Sequence, residues 1–122
     1  MTCLYAYLLT IVCMELVTRC ARIKLRKGTI TEVKAWAKEL NDRVEEVKES
    51  MIQEGVHIES VFLDKIEEDY YLIYYMQVED EQKSQAAFEK SILDIDKYHA
   101  GFKKACWESI QSLQVLVDVS RL

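Results

Sequence analysis

The chain has 122 residues, with 16 basic and 21 acidic side chains, a formal charge of -5, half its residues hydrophobic and 30% charged. That length fits one domain, and the apolar half can fill a core. The acidic balance excludes a generally basic nucleic-acid surface.

Residues 1–14 open with an apolar run, Cys3 to Cys13, too short to span a bilayer, with no basic residue before Arg19 and no small-residue cleavage pattern. A membrane span and a secretory signal are both disfavoured. Residues 1–14 are expected to be an extension or accessory strand, residues 15–122 the domain, and the setting cytoplasmic. Four cysteines without a C-x-x-C pair, and only two histidines, match no zinc template and read as reduced thiols.

From Ala21 to Arg26 apolar and basic residues alternate, which predicts a first strand. Lys27-Gly28 ends it, and Thr29-x-x-Glu32 has capping-box spacing. Val33, Trp36, Ala37, Leu40, Val44, Val47 and Met51 then form a helical stripe. The spacing predicts one long helix, Ile30 to Glu54, with Asn41-Asp42 as a kink and Gly55 as its stop.

Val56 to Leu63 and Asp69 to Val78 are β-rich and predict a hairpin across Asp64 to Glu68. In the second strand Tyr70, Leu72, Tyr74, Met76 and Val78 face one way, and Tyr71, Ile73 and Tyr75 the other. Both faces are apolar, so a side not covered by helices needs a partner subunit. Tyr74 and Tyr75 oppose each other, so at most one of them lines a pocket.

Asp80 and Asp94 are expected to cap two pieces of an interrupted helix, the second carrying Ile95, Tyr98, Phe102 and Cys106. Ser112 to Leu122 alternates again and predicts the last strand. The order βαββαβ predicts an α+β, ferredoxin-like antiparallel sheet with helices on one face. Pairing two open faces gives a homodimeric α/β barrel.

Nucleotide loops, nucleophile elbows and metalloprotease motifs are absent. His99, three residues after Asp96, suits an acid/base group that Asp96 orients. Trp36 and Arg43, seven residues apart, can wall and hold a polar or anionic ligand, with Tyr98 as a second wall. Glu59 is a second acid/base candidate or an ion-pair partner. His57 has no obvious partner, and Trp107 is expected to pack against the last strand.

The segments CARIKLRKG, EGVHIESVFL, DYYLIYYM and IDKYHAGFKKACW resemble an uncharacterised bacterial family related in shape to the dimeric α/β-barrel superfamily. The resemblance covers Glu15 to Leu122 and implies a ferredoxin-like protomer and a homodimer. It transfers no catalytic residue. The superfamily includes cofactor-free monooxygenases, mutarotases, haem enzymes and sensing modules, so shape does not choose among them. Two functions follow from the residues. One is a small-molecule-binding, cofactor-independent enzyme, monooxygenase-like or isomerase-like, that uses His99. The other is a non-catalytic ligand-sensing or assembly module. Neither calls for a metal, a cofactor, nucleic acid or a membrane.

Overall fold

In the computed structural model, which describes residues 15–121, the alternating stretch around Ala21 is the strand β1, Val17–Leu25. The expected extension at residues 1–14 lies outside the described residues. β1 pairs antiparallel with β3 (Asp69–Val78) on one side and with β4 (Trp107–Leu113) on the other, while β2 (Val56–Ile66) pairs with β3. The order β2-β3-β1-β4 is that of the split βαβ arrangement.

The four helices are α1 (Ile30–Asp42), α2 (Val44–Glu54), α3 (Glu81–Lys90) and α4 (Asp94–Cys106). The expected long helix is therefore two helices, broken at Arg43, whose φ of -109° and ψ of 37° leave the helical region. Just before the break, the Asn41 side chain donates to the Ala37 carbonyl at 2.8 Å and competes with the helical ladder. Gly55 closes α2 at φ 69°, a left-handed position that a residue without Cβ adopts at no steric cost.

Several local expectations need correction. Thr29 occupies the cap position of α1 but donates to the Arg26 carbonyl at 2.6 Å instead of forming a capping box. Leu93, not Asp94, caps α4, and Asp94 and Asp96 fall in its first turn, where acidic groups favour the helix dipole. Asp80 does cap α3, accepting from the Lys83 amide at 3.0 Å. The hairpin turn is confined to Glu67 and Glu68, and β2 runs on to Ile66.

The last strand is the largest difference. β4 starts directly after α4 and ends at Leu113, so it precedes most of the expected Ser112–Leu122 stretch. Residues 114–121 carry no strand pairing and leave Leu116, Val117 and Val119 more than 80% exposed. Alternation alone cannot tell a paired strand from an extended, unpaired one.

Register defines the two sheet faces. Ala21 pairs with Tyr74 and Ile23 with Leu72, and Val61 faces Tyr74 from the opposite side, so these residues share the inner, helix-covered face. Ile23, Leu25, Val33, Trp36, Leu72, Tyr74, Phe102 and Cys106 form the buried core there. Tyr71, Ile73 and Tyr75 lie on the outer face with Phe62, which is 58% exposed. The Arg22 guanidinium covers part of this face, 4.2 Å above the Tyr71 ring.

Two irregularities redirect side chains inward. The β1–β4 register shifts at Leu25, which makes Trp107 its partner and leaves Glu108 to pair with Lys24 at 3.3 Å. The β2–β3 register shifts between Val56 and Ile58, so that Val56 pairs with Val78 and Glu59 with Met76, both partners lying on the inner face.

Candidate functional site

Between the inner sheet face and all four helices lies a cavity of about 240 Å³. Its origin is legible in residue size. Ala21, flanked by Tyr74 and Ser112 in the ladder, leaves room that a larger residue on the central strand would fill. Aromatic walls come from Tyr74, Phe88, His99 and Trp107, and apolar surface from Met51, Met76 and Ile95. The polar groups are Ser50, Glu54, Glu59, Asp96 and Lys103, with the Arg19–Glu81 ion pair, 3.3 Å apart, also on the lining.

His99 sits in an aromatic cage. It stacks on Trp36 at 5.6 Å between ring centroids and on Phe102 at 6.0 Å, and meets Phe88 and Trp107 edge-on. Trp36 Nε1 donates to His99 Nδ1 at 3.0 Å, so a neutral ring keeps its proton on Nε2. Burial, with Lys103 adding to it, pushes the imidazole down to about 3.

Asp96 is bonded elsewhere. It is 6% exposed and accepts from the hydroxyls of Ser50 and Ser91. The orienting hydrogen bond on His99 therefore comes from Trp36, and Asp96 belongs to a different network. Ser50 Oγ also lies within hydrogen-bond distance of Glu54. A serine has one hydroxyl hydrogen and cannot donate to two carboxylates at once. The arrangement closes when Glu54 is protonated and donates to Ser50, which in turn donates to Asp96. Consistently, burial lifts the Glu54 carboxyl to about 7; Asp96 and Glu59 push the same way, against the Ser50 hydrogen bond and Lys103.

Lys103 Nζ lies over the rings of Phe88, at 4.4 Å, and Trp107, at 4.9 Å. Burial lowers its ammonium, while Glu54, Glu59 and Asp96 hold it up. Glu59, an exposed residue of the edge strand β2, lines the cavity, and its carboxyl is pushed up by desolvation and Asp96, against the attraction of Lys103. Two donors on the cavity lining lack partners among the described residues: the Tyr74 hydroxyl and Trp107 Nε1 are buried without a hydrogen bond, on rings that meet edge-on at 5.4 Å, while a third such atom, Arg22 Nε, lies on the outer sheet face. Burial, with Glu59 adding to it, raises the Tyr74 phenol, which keeps its proton.

Of the residues singled out from sequence, His99, Asp96 and Glu59 line the cavity together, and Trp36 backs it from the core, 4% exposed. Arg43 and Tyr98 do not line it. Arg43 is spent on Glu46 and Glu39 at the helix break, and Tyr98 is 37% exposed. His57 pairs with Glu79 at 2.8 Å on the surface. Sequence reasoning missed Ser50, Glu54 and Lys103. The signal for Lys103 was present, since Asp96, His99 and Lys103 stand three and four apart on one helical face.

Fold and cavity together define an α+β protein with a four-stranded antiparallel sheet and a polar-centred cavity under its helices. The chain belongs to the DUF6176 family of unknown function, whose profile matches residues 16–122. No curated protein matches it. Among solved structures it is similar to a de novo designed protein, Foldit4, at 15% identity and a TM-score of 0.47, covering 82% of this chain and 100% of that one. It is also similar to a Bacillus cereus protein described as a candidate antibiotic biosynthesis monooxygenase, at 15% identity and a TM-score of 0.41, covering 86% of this chain and 95% of that one. Among the described residues, no helix is long and apolar enough to cross a membrane, and no group of three or more His, Cys, Asp or Glu could hold a metal ion.

Proposed function

We propose that the protein is a small-molecule-binding homodimer of the dimeric α/β-barrel type, each protomer holding an uncharged, ring-containing carbonyl compound between sheet and helices. The observation that carries this reading is the pair of unpartnered donors. Buried polar groups are almost always hydrogen-bonded, and leaving a donor unpaired costs about 1–3 kcal/mol. The Tyr74 hydroxyl and Trp107 Nε1 meet that requirement once a ligand oxygen reaches them, and the neighbouring aromatic rings suit a flat apolar body. In this reading His99 is a neutral wall rather than the proton carrier, because an imidazole that charges only near pH 3 is a weak base at neutral pH.

The dimer is supported by the outer sheet face, where Ile58, Phe62 and Leu113 are all more than a third exposed beside Ile73 and Tyr75. Sedimentation should give a dimer at micromolar concentration, and Phe62→Lys should shift it towards monomer. A monomeric parent protein would remove the dimer from the reading.

For the ligand, 2-tetralone, an uncharged bicyclic ketone, is a direct probe. Titration followed by tryptophan fluorescence should saturate, and Tyr74→Phe should weaken binding about tenfold, the equivalent of one hydrogen bond of 1.4 kcal/mol. A parent protein that gives no saturable change contradicts the binding reading.

A further inference from the structure

The four carboxyl groups of the cavity are not equivalent, and Glu81 is taken by its ion pair with Arg19. Glu54 and Asp96 share Ser50, and Asp96 also takes the Ser91 hydroxyl, whereas Glu59 accepts no hydrogen bond among the described residues. Glu59 faces Met76 across the ladder while Val61 faces Tyr74, so Glu59 and Tyr74 are diagonal neighbours on the inner sheet face. Tyr74 is 6% exposed, lines the same cavity and has an unpartnered hydroxyl. A free carboxylate thus stands beside a buried donor that calls for an oxygen.

We propose that the cavity catalyses proton transfer at the carbon next to a carbonyl, with Glu59 as the base and with Tyr74 and Trp107 holding the carbonyl oxygen. The inference rests on the binding reading above and adds its reaction and substrate class, an enolisable ketone fused to or bearing an aromatic ring. A Glu59 carboxylate oxygen takes the α-proton, and the C–H electron pair becomes the carbon–carbon π bond. The carbonyl π pair moves onto oxygen, where the Tyr74 O–H and Trp107 N–H hold the enolate. Glu59 then returns the proton to oxygen, giving the enol, or to carbon, regenerating the ketone. No oxidant, reductant or second substrate is consumed.

The neighbours fit these roles. Desolvation raises the Glu59 carboxyl and strengthens it as a base, while the attraction of Lys103 opposes that rise. The raised Tyr74 phenol remains a donor and does not ionise. Glu54 and Asp96 are held by serines and are not free to meet a carbon acid.

The test is deuterium incorporation at C1 of 2-tetralone in D2O, followed by proton NMR, with binding measured by fluorescence in parallel. The parent protein should exceed the buffer rate at least about 100-fold. Glu59→Gln should fall to the buffer rate while its Kd stays within about threefold of the parent. Glu59→Ala should behave alike and serves if the glutamine variant folds poorly. Tyr74→Phe should lose both rate and affinity. Parental exchange in the Glu59 variants overturns the inference, as does a parent protein that binds the ketone but exchanges it no faster than buffer; the binding reading survives both. Absence of binding overturns both.

Discussion

The two ends of the inner sheet face are built by the same strands and do opposite things. At one end Ile23, Leu25 and Leu72 meet Val33, Trp36 and Phe102 in a dry, closed core, with the Trp36 and Phe102 rings 4.2 Å apart and nearly parallel. At the other end Ala21 and Met76 meet Ser50, Glu54, Ser84 and Asp96, and a cavity remains. The border runs along Trp36, His99 and Tyr74, which give rings to the core and polar atoms to one another or to the cavity. Dry packing and the polar cavity are thereby separated along one strand pair. The dry end needs no polar partner, and the hollow end holds the Tyr74 hydroxyl and Trp107 Nε1, which lack partners among the described residues.

The sharpest way to break that division is at the dry end. Trp36→Ala should cost about 3–5 kcal/mol of unfolding free energy, the range for deleting a buried aromatic ring, in a denaturant titration. The hydrogen bond to His99 goes with it. A loss below about 1 kcal/mol would mean that the ring stack is not what closes the core.

The hollow end should respond in the opposite sense. A carboxyl lifted from 4.5 to about 7 binds its proton more tightly folded than unfolded, so its contribution falls as pH rises through that interval. His99 acts oppositely, since an imidazole lowered from 6.5 to about 3 makes stability rise with pH between those values. Glu54→Gln imitates the protonated carboxyl, keeps a donor towards Ser50 and leaves His99 unchanged in both proteins. The variant should equal its parent near pH 4.5 and exceed it by about 2 kcal/mol at pH 8, short of the full linkage value because the group is partly hydrated. Paired thermal or denaturant melts across that range measure the difference. A pH-independent difference would show that Glu54 is not where the cavity's proton resides.

How far this division could be read from sequence depends on which rule each element obeys. The helical stripe through Val33 and Trp36 and the alternation of β3 follow a single period, so the dry end and the inward direction of Leu72 were legible. The hollow end depends on departures from period. Trp107 faces inward because the β4 register shifts at Leu25, and Val56 and Glu59 share a side because β2 shifts after Val56. Neither shift leaves a mark such as glycine or proline. Asp96 and His99, three residues apart on one helix, both line the cavity. Spacing along one helix did not reveal that Ser50, 46 positions away, would capture the carboxylate. Arg43 shows the same limit. Its seven-residue distance from Trp36 implied a shared edge, but the helix breaks at Arg43 itself and turns the guanidinium to Glu46.

A smaller effect sharpens the border between the two ends. Tyr74 has a buried ring that serves the core and a hydroxyl without a partner, so Tyr74→Phe removes the burden and keeps the packing. In the ligand-free protein the change should be neutral or stabilising by up to about 1 kcal/mol, read from denaturant midpoints at constant slope. A loss larger than about 1 kcal/mol would mean that the hydroxyl is satisfied in the resting protein, and the cavity would lose its call for an oxygen.

The smallest effect belongs to a position outside both ends and calibrates the others. Glu67, in the two-residue turn between β2 and β3, has φ 55°, a left-handed conformation that is strained for a side chain with a Cβ. Glu67→Gly relieves that strain but adds conformational freedom to the unfolded chain, so the two terms partly cancel. The net gain should be about 0.5 kcal/mol, with 2-tetralone affinity unchanged, because the turn touches neither the dry core nor the cavity. If this substitution alters ligand affinity, the hairpin and the hollow end are coupled, and the separation along the β1–β3 pair fails.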